Sequence, residues 1–159
     1  MLPEVDAVIS PGNSYGQMDG GVDRVLSQLF PLVQRNVWAM VGDQYHGYQP
    51  VGTAAIVATG GVRCPWLVYA PTMRVPMPLG AGLDIAVHDA FWAALRTVAA
   101  HNDTSERDNA ITTVIAPGFG TGYGRVPAAR AAQLMAAAYH FMRNPSTASI
   151  SERETYLEA

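Results

Sequence analysis

Two stretches of this chain, PGNSYGQMDGG at 11–21 and PGFGTGYG at 117–124, each follow a short apolar run and lead into a helical pattern. A chain that only needed to turn would use two or three Gly, Asn or Ser residues. The length and polarity of both segments therefore point to loops built to hold something. Loops of this kind belong to an α/β fold, where they leave the carboxyl ends of strands at one edge of an open sheet. There they expose backbone N–H groups and helix N-termini, whose positive dipole ends favour phosphate. Two such loops facing one another suit a diphosphate.

The rest of the chain fits that frame. Residues 5–10 are short, apolar and β-branched before Pro11-Gly12, as in a buried strand cut off by a turn. Val22, Val25, Leu26 and Leu29 follow the i, i+3, i+4, i+7 template and predict a helix from Gly21 to about Phe30. A second helix, with Val33, Val37, Met40 and Val41 on its stripe and Trp38 beside it, is expected over 32–45. TAAIVAT at 53–59 and WLVYA at 66–70 read as central strands covered on both faces and joined by the hairpin-like GGVRCP. A long helix over 84–101 packs on the sheet, residues 111–116 form another buried strand, and a last helix spans about 127–142 with proline at its start. The alternation describes a three-layer α/β/α domain with a mixed, largely parallel central sheet over residues 1–144. Residues 145–159 form a polar, loosely attached tail in which Ser151 and Glu154 are placed to cap a turn or two.

Composition narrows the chemistry. The ten basic residues are all arginine, which removes mechanisms that need a catalytic or phosphate-cradling lysine. A net charge of -3 supplies no basic footprint for holding a nucleic-acid duplex. Cys64 is the single cysteine, so neither an internal disulfide nor a multi-cysteine zinc site is available, and Cys64 reads as a small buried residue. No stretch approaches the roughly 20 apolar residues of a membrane span, and the first residues have no signal-peptide pattern. The expectation is a monomeric cytoplasmic protein without cofactor, metal or membrane partner. Asp84 and His88 stand at i, i+4, but two ligand types on a surface helix do not make a metal site. The glycines of 118–124 fail the dinucleotide-binding spacing: the third glycine of G-x-G-x-x-G falls on Tyr123 or Arg125, and no acid follows until Glu152.

VDAVISPGNSYGQMDGGVDRVL resembles the signature of the macrodomain (ADP-ribose-binding, Appr-1''-p-processing-like) family, in which a strand ends in an Asn-containing turn, passes a glycine-rich loop and starts a helix with Gly-Val-Asp. IAPGFGTGYGRVPAARAAQLMAAA resembles that family's second phosphate loop and following helix, and PVGTAAIVATGGVRCPWLVYAPTMRVP is similar to its middle strands. The closing APTMRVP, with GTGYG, is similar to a bacterial and phage-associated branch. The three segments come in the family's order over about residues 5–142.

The resemblance implies binding of ADP-ribose or an ADP-ribosylated protein, with hydrolysis of ADP-ribosyl esters on proteins or of O-acetyl-ADP-ribose. The alternative is a non-catalytic module for ADP-ribose or a related nucleotide. It implies that Asp23 is the catalytic acid, poised on a first helical turn where the dipole favours a carboxylate. Asn13 is implied to hold the distal ribose, with Ser14, Gly20, Gly21 and Val22 along the first phosphate loop. Gly120, Thr121, Gly122, Tyr123, Gly124 and Arg125 are implied to form the second, Tyr123 covering the ribose; Arg125 and Arg74 stand beside the mouth.

Each of these residues also has a plainer reading. Asn13 is a residue that tolerates a left-handed turn, Asp23 a helix-start acid, the glycines of 118–124 a packing device and Tyr123 an exposed loop aromatic. The chain departs from the family pattern in three places. Ser10 stands where many members have the first asparagine of Asn-Ala-Ala-Asn, and Gln17-Met18-Asp19 interrupts a glycine run. The leading strand and the Gly-Asp-Ile/Val segment that supplies an aspartate to adenine have no counterpart before Val5, which leaves two expectations open: a chain truncated or started late, or adenine held another way.

Overall fold

The computed structural model describes residues 3–145 and 149–158. At its centre β1, Ala7–Ser10, is buried along its whole length. Successive side chains of a strand point to opposite faces, and a strand buried on both faces needs a layer on each. Ala7 and Ile9 enter one core cluster and Val8 the other. On the Val8 side lie α1, Gly21–Leu29, and α2, Val33–Tyr45, the latter contributing Val33, Val37, Met40 and Val41. The opposite side carries α3, Ala86–Thr104, and α4, Ala128–Arg143, which bury Val87, Ala90, Ala94, Leu134 and Ala137. The three-layer α/β/α expectation is met.

The strand order is β2-β3-β1-β4, with β2 at Ala55–Ala58, β3 at Trp66–Tyr69 and β4 at Val114–Ile115. β1 runs parallel to β3, pairing Ala7 with Trp66 and Ser10 with Tyr69, and parallel to β4, pairing Ala7 with Val114. The hairpin through GGVRCP makes β2 antiparallel to β3. The three parallel strands therefore end at one edge, from which the segments after residues 10, 70 and 115 all depart.

The structure corrects several expectations. β2 is an edge strand, with Ile56 half-buried and Ala58 exposed, because its second neighbour position is empty among the described residues. The strand expected over 111–116 is reduced to two ladder residues, with Val114 39% exposed. Its approach is occupied instead by Asp6, whose carboxylate accepts hydrogen bonds from the backbone N–H and hydroxyl of both Thr112 and Thr113, at 2.8–3.0 Å. These bonds, led by the Thr112 hydroxyl, hold the Asp6 carboxyl below its usual range. Asp6 thus clamps the far end of the sheet, away from the loops.

On α1, Leu26 and Asp23 are buried while Val22, Val25 and Leu29 remain 40–54% exposed. The apolar stripe read from the sequence overhangs the β4 edge, where no further layer among the described residues covers it. Trp38 is likewise half-exposed on α2. His88, expected on a polar face, packs edge-on against Phe141 of α4, and Asp84 pairs with Arg130 at 2.8 Å.

The tail also differs from expectation. Residues 150–158 form α5, Ile150–Glu158, docked on α4 through buried Leu157 and a Tyr156 ring stacked on His140 at 5.4 Å. Its capping box uses Ser149 and Glu152 in place of Ser151 and Glu154: the Ser149 N–H and hydroxyl donate to Glu152 Oε2, and the Glu152 N–H donates back to Ser149 Oγ. Residues 146–148 and 159 of that tail lie outside the described residues.

Candidate functional site

The first loop is fixed from beneath before any side chain is offered to a ligand. Thr72 N–H donates to the Gly12 carbonyl and Ser14 N–H to that of Met73, extending the β1–β3 pairing past the strands as a parallel bridge between Asn13 and Met73. Tyr69, the last residue of β3, is fully buried under the turn. Its hydroxyl accepts the Asn13 N–H and donates to the Asn13 carbonyl, both at 2.9 Å. A Cβ on Gly12 would collide with that hydroxyl, so glycine is required where the backbone crosses the ring. Burial, and then the charge of Asp23, hold the Tyr69 phenol well above its ordinary range, which keeps it a neutral donor.

Further along, Gln34 of α2 donates to the Gly16 carbonyl at 2.7 Å and accepts the Met18 N–H at 2.8 Å. Met18 itself is 2% exposed and plugs the loop into the core. The Asn13 side chain is used locally: Nδ2 donates to the Gln17 carbonyl at 2.8 Å, and Oδ1 accepts the Tyr15 and Gln17 N–H groups. This is an Asx-type turn rather than a left-handed residue, since the Asn13 φ is not positive.

The loop then delivers α1. Its N-cap is Gly20, extended at φ -139°, with no side-chain cap. The first backbone bond runs from Arg24 N–H to the Gly20 carbonyl, so the N–H groups of Gly21, Val22 and Asp23 have no partner within the helix. The 117–124 loop comes alongside from β4. Phe119 is its anchor, fully buried and edge-on to Phe91 at 5.3 Å. The Val126 N–H donates to the Gly120 carbonyl at 3.0 Å and Leu79 N–H to that of Gly124 at 2.8 Å. A Cβ on Gly124 would strike the Gly120 carbonyl oxygen, a backbone atom that cannot swing aside.

Between the loops lies a cleft of about 210 Å³. Asn13, Gly20, Gly21, Val22, Asp23, Gly120, Thr121, Gly122, Tyr123 and Gly124 all line it, so the structure brings together the site residues read from the two motifs. The Tyr123 ring spans the cleft: a Cβ on Gly20 would sit 2.7 Å from it, although the ring stays 58% exposed. Two expected members are absent from the lining. Ser14 is fully buried, its N–H bound to Met73 and its carbonyl to the Gln49 N–H, so it supports the loop from behind. Arg125 is exposed and held at φ 52°, outside the lining that Gly124 closes.

Asp23 is the polar centre of the cleft. It is 8% exposed, and the hydroxyl of fully buried Ser10 donates to its Oδ1. Burial pushes its carboxyl up to about 6 from an ordinary 3.8; the Ser10 hydrogen bond opposes this and the nearby Asp19 charge adds to it. A carboxylate with that value is mostly ionised at neutral pH yet basic enough to accept a proton.

Sequence reasoning missed Gln17, Asp19, Thr72, Met73 and Pro76 as lining residues and Tyr69 as the support. The 72–76 segment was detectable in principle, because a strand parallel to β1 must send its following loop to the same edge. The partner of a buried phenol had no signal in sequence. Next to the cleft, sharing Val22 and Pro117 with it, is an apolar groove of about 250 Å³ formed by Val25, Leu26 and Leu29 of α1 with Val8, Ile115 and Ala116 of the sheet.

Fold and site together define an α/β/α domain with a cleft between two glycine-rich loops at the carboxyl edge of its parallel strands. Residues 9–135 match the model of the Macro domain, and the chain belongs to that family. An uncharacterised protein of Aquifex aeolicus is 32% identical over 139 residues, covering 84% of this chain and 73% of the relative. Among solved structures, the Oceanobacillus iheyensis macrodomain with ADP superimposes with a TM-score of 0.72 at 15% identity, over 98% of this chain and 82% of that one. The macrodomain of Mycobacterium tuberculosis DarG gives 0.68 at 17% identity, over 86% and 82%.

Proposed function

We propose that this chain binds ADP-ribose in the cleft and hydrolyses its esters, either with a protein carboxylate or as O-acetyl-ADP-ribose. The observation that carries the reading is Asp23, a nearly buried carboxylate on the first turn of α1 between two glycine loops. The free N–H groups of Gly21 and Val22 and the facing 120–122 backbone supply donors for a diphosphate. The apolar groove beyond Val22 and Pro117 is the continuous surface on which a flat base would lie. The distal ribose then comes beneath Tyr123 and against Asp23.

Held in this way, a water beside Asp23 gives up a proton to the carboxylate as its oxygen bonds to the anomeric carbon. The carbon–oxygen bond to the ester breaks and the carboxylate leaves. The two loops contribute by restricting the reacting carbon to the neighbourhood of that water. For the acetyl ester, Asp23 takes a proton from water as its oxygen adds to the acetyl carbonyl; the acyl carbon–oxygen bond to the ribose then breaks, the ribose oxygen takes that proton from Asp23, and acetic acid leaves.

The test pairs two measurements on wild type and Asp23→Ala. Calorimetry with ADP-ribose should give binding in both proteins, and release of ADP-ribose from a carboxylate-linked modified protein should occur only with wild type. Normal turnover by the variant would end the mechanism. One observation favours a module that binds without turnover: both amide ends of Asn13 are engaged in its own loop, leaving a single N–H for a ribose hydroxyl. Binding without release by wild type would establish that reading.

A further inference from the structure

Among the described residues, the carboxylate of Asp23 accepts a side-chain hydrogen bond through one of its oxygens. Oδ1 accepts the Ser10 hydroxyl, and among the described residues Oδ2 accepts no hydrogen bond while the side chain lines the cleft. Ser10 has no exposure, ends β1, and is held in the sheet by its pairing with Tyr69 and by the Ala70 N–H on its carbonyl. A hydroxyl so placed cannot touch a ligand. It can set which way the carboxylate faces.

We infer that Ser10 is the positioning residue of the site: its buried hydroxyl fixes Oδ1 of Asp23, so that Oδ2 is the oxygen presented to the cleft. The inference deepens the hydrolytic reading and rests on Asp23 being its base. A hydroxyl bonded to a carboxylate favours the ionised form, which opposes the effect of burial and keeps Asp23 charged at neutral pH. The titratable groups around it are Asp19 on the preceding loop, Tyr69 on β3 and Tyr123 across the cleft. The arginines next in sequence to the lining, Arg24 and Arg74, are exposed. None of these groups can replace the donor at Oδ1.

The experiment follows the Asp23 carboxyl carbon by NMR as pH is varied, in wild type, Ser10→Ala and Ser10→Cys. Ser10→Ala should move the midpoint upward by about one unit, since a hydrogen bond to a charged group is lost, and Ser10→Cys, with its weaker donor, should fall between the two. Affinity for ADP-ribose should stay within about threefold, because the phosphate contacts are untouched. The acid limb of kcat/KM for ester hydrolysis should rise in pH together with the NMR midpoint. A midpoint unmoved in Ser10→Ala would overturn the inference, and Ser10→Cys carries the same test if the alanine variant does not fold. A shifted midpoint in a protein that binds ADP-ribose but never turns over would end the hydrolytic reading and leave the Ser10 inference standing. Turnover with an unshifted midpoint would do the reverse.

Discussion

Asp23→Asn should make this protein more stable at neutral pH while removing its proposed activity. Folding takes the Asp23 carboxyl from an ordinary 3.8 to about 6, chiefly through burial. Below 3.8 the group is neutral in both states and burial costs little. As pH rises toward 6 the unfolded chain releases the proton and the folded chain retains it, so stability is lost progressively, and above 6 the loss is complete. Two units at 1.36 kcal/mol each put the full cost near ~3 kcal/mol, of which roughly 2 kcal/mol accrues between pH 4 and pH 7.5. An asparagine keeps an oxygen to accept from Ser10 and carries no charge, so its stability should lack this slope. Urea unfolding of both proteins at pH 4 and pH 7.5 measures the effect as a difference of differences, in which general acid destabilisation cancels. The variant should gain about 2 kcal/mol on wild type across that range, equivalent to a Tm advantage of roughly 4–8 °C for a chain of this size. A gap that does not change with pH would show that Asp23 is not desolvated in the folded state, and the electrostatic account of the site would fall with it.

Other substitutions probe the scaffold. Gly124→Ala sets a methyl against the Gly120 carbonyl oxygen, and calorimetry should show ADP-ribose affinity reduced by about tenfold or more as the second loop is displaced. Tyr69→Phe leaves the Asn13 N–H and carbonyl without their shared buried partner, so unfolding free energy should fall by about 1–3 kcal/mol with weaker binding as a consequence. Tyr123→Ala removes a ring that is mostly exposed, and should weaken ADP-ribose binding several-fold with the Tm within a degree or two of wild type. Leu157→Ala, at the one buried position of α5, should lower stability by about 2 kcal/mol without changing affinity, since it lies on α4 away from the cleft.

Much of the site was readable from local pattern. A glycine-rich segment between a β-branched run and a helical stripe reports its own position in an α/β fold, because strand, turn and helix periodicity are encoded within about ten residues of one another. That is why Gly20 to Asp23 and Gly120 to Gly124 were identified together and lie in one cleft. Ser14 and Arg125 belong to the same motifs and yet stand outside the lining: adjacency in a motif does not say which way a side chain turns once its backbone is bonded. The α1 stripe shows the limit on a larger scale. Val22, Val25 and Leu29 have the spacing of a core face, but spacing reports only that a helix has an apolar side, and among the described residues nothing beyond the β4 edge covers it.

By itself, then, the sequence determined the alternation of elements, the two glycine-rich loops and the presence of an acid at a helix start, all properties of neighbouring residues. Only the tertiary structure decided what that acid is. The raised carboxyl of Asp23, the hydroxyl of Ser10 on one of its oxygens and the phenol of Tyr69 under the turn arise from residues 13 to 56 positions apart. Desolvation and hydrogen bonding act through space, and they exist only after β1, β3 and α1 have been brought into contact.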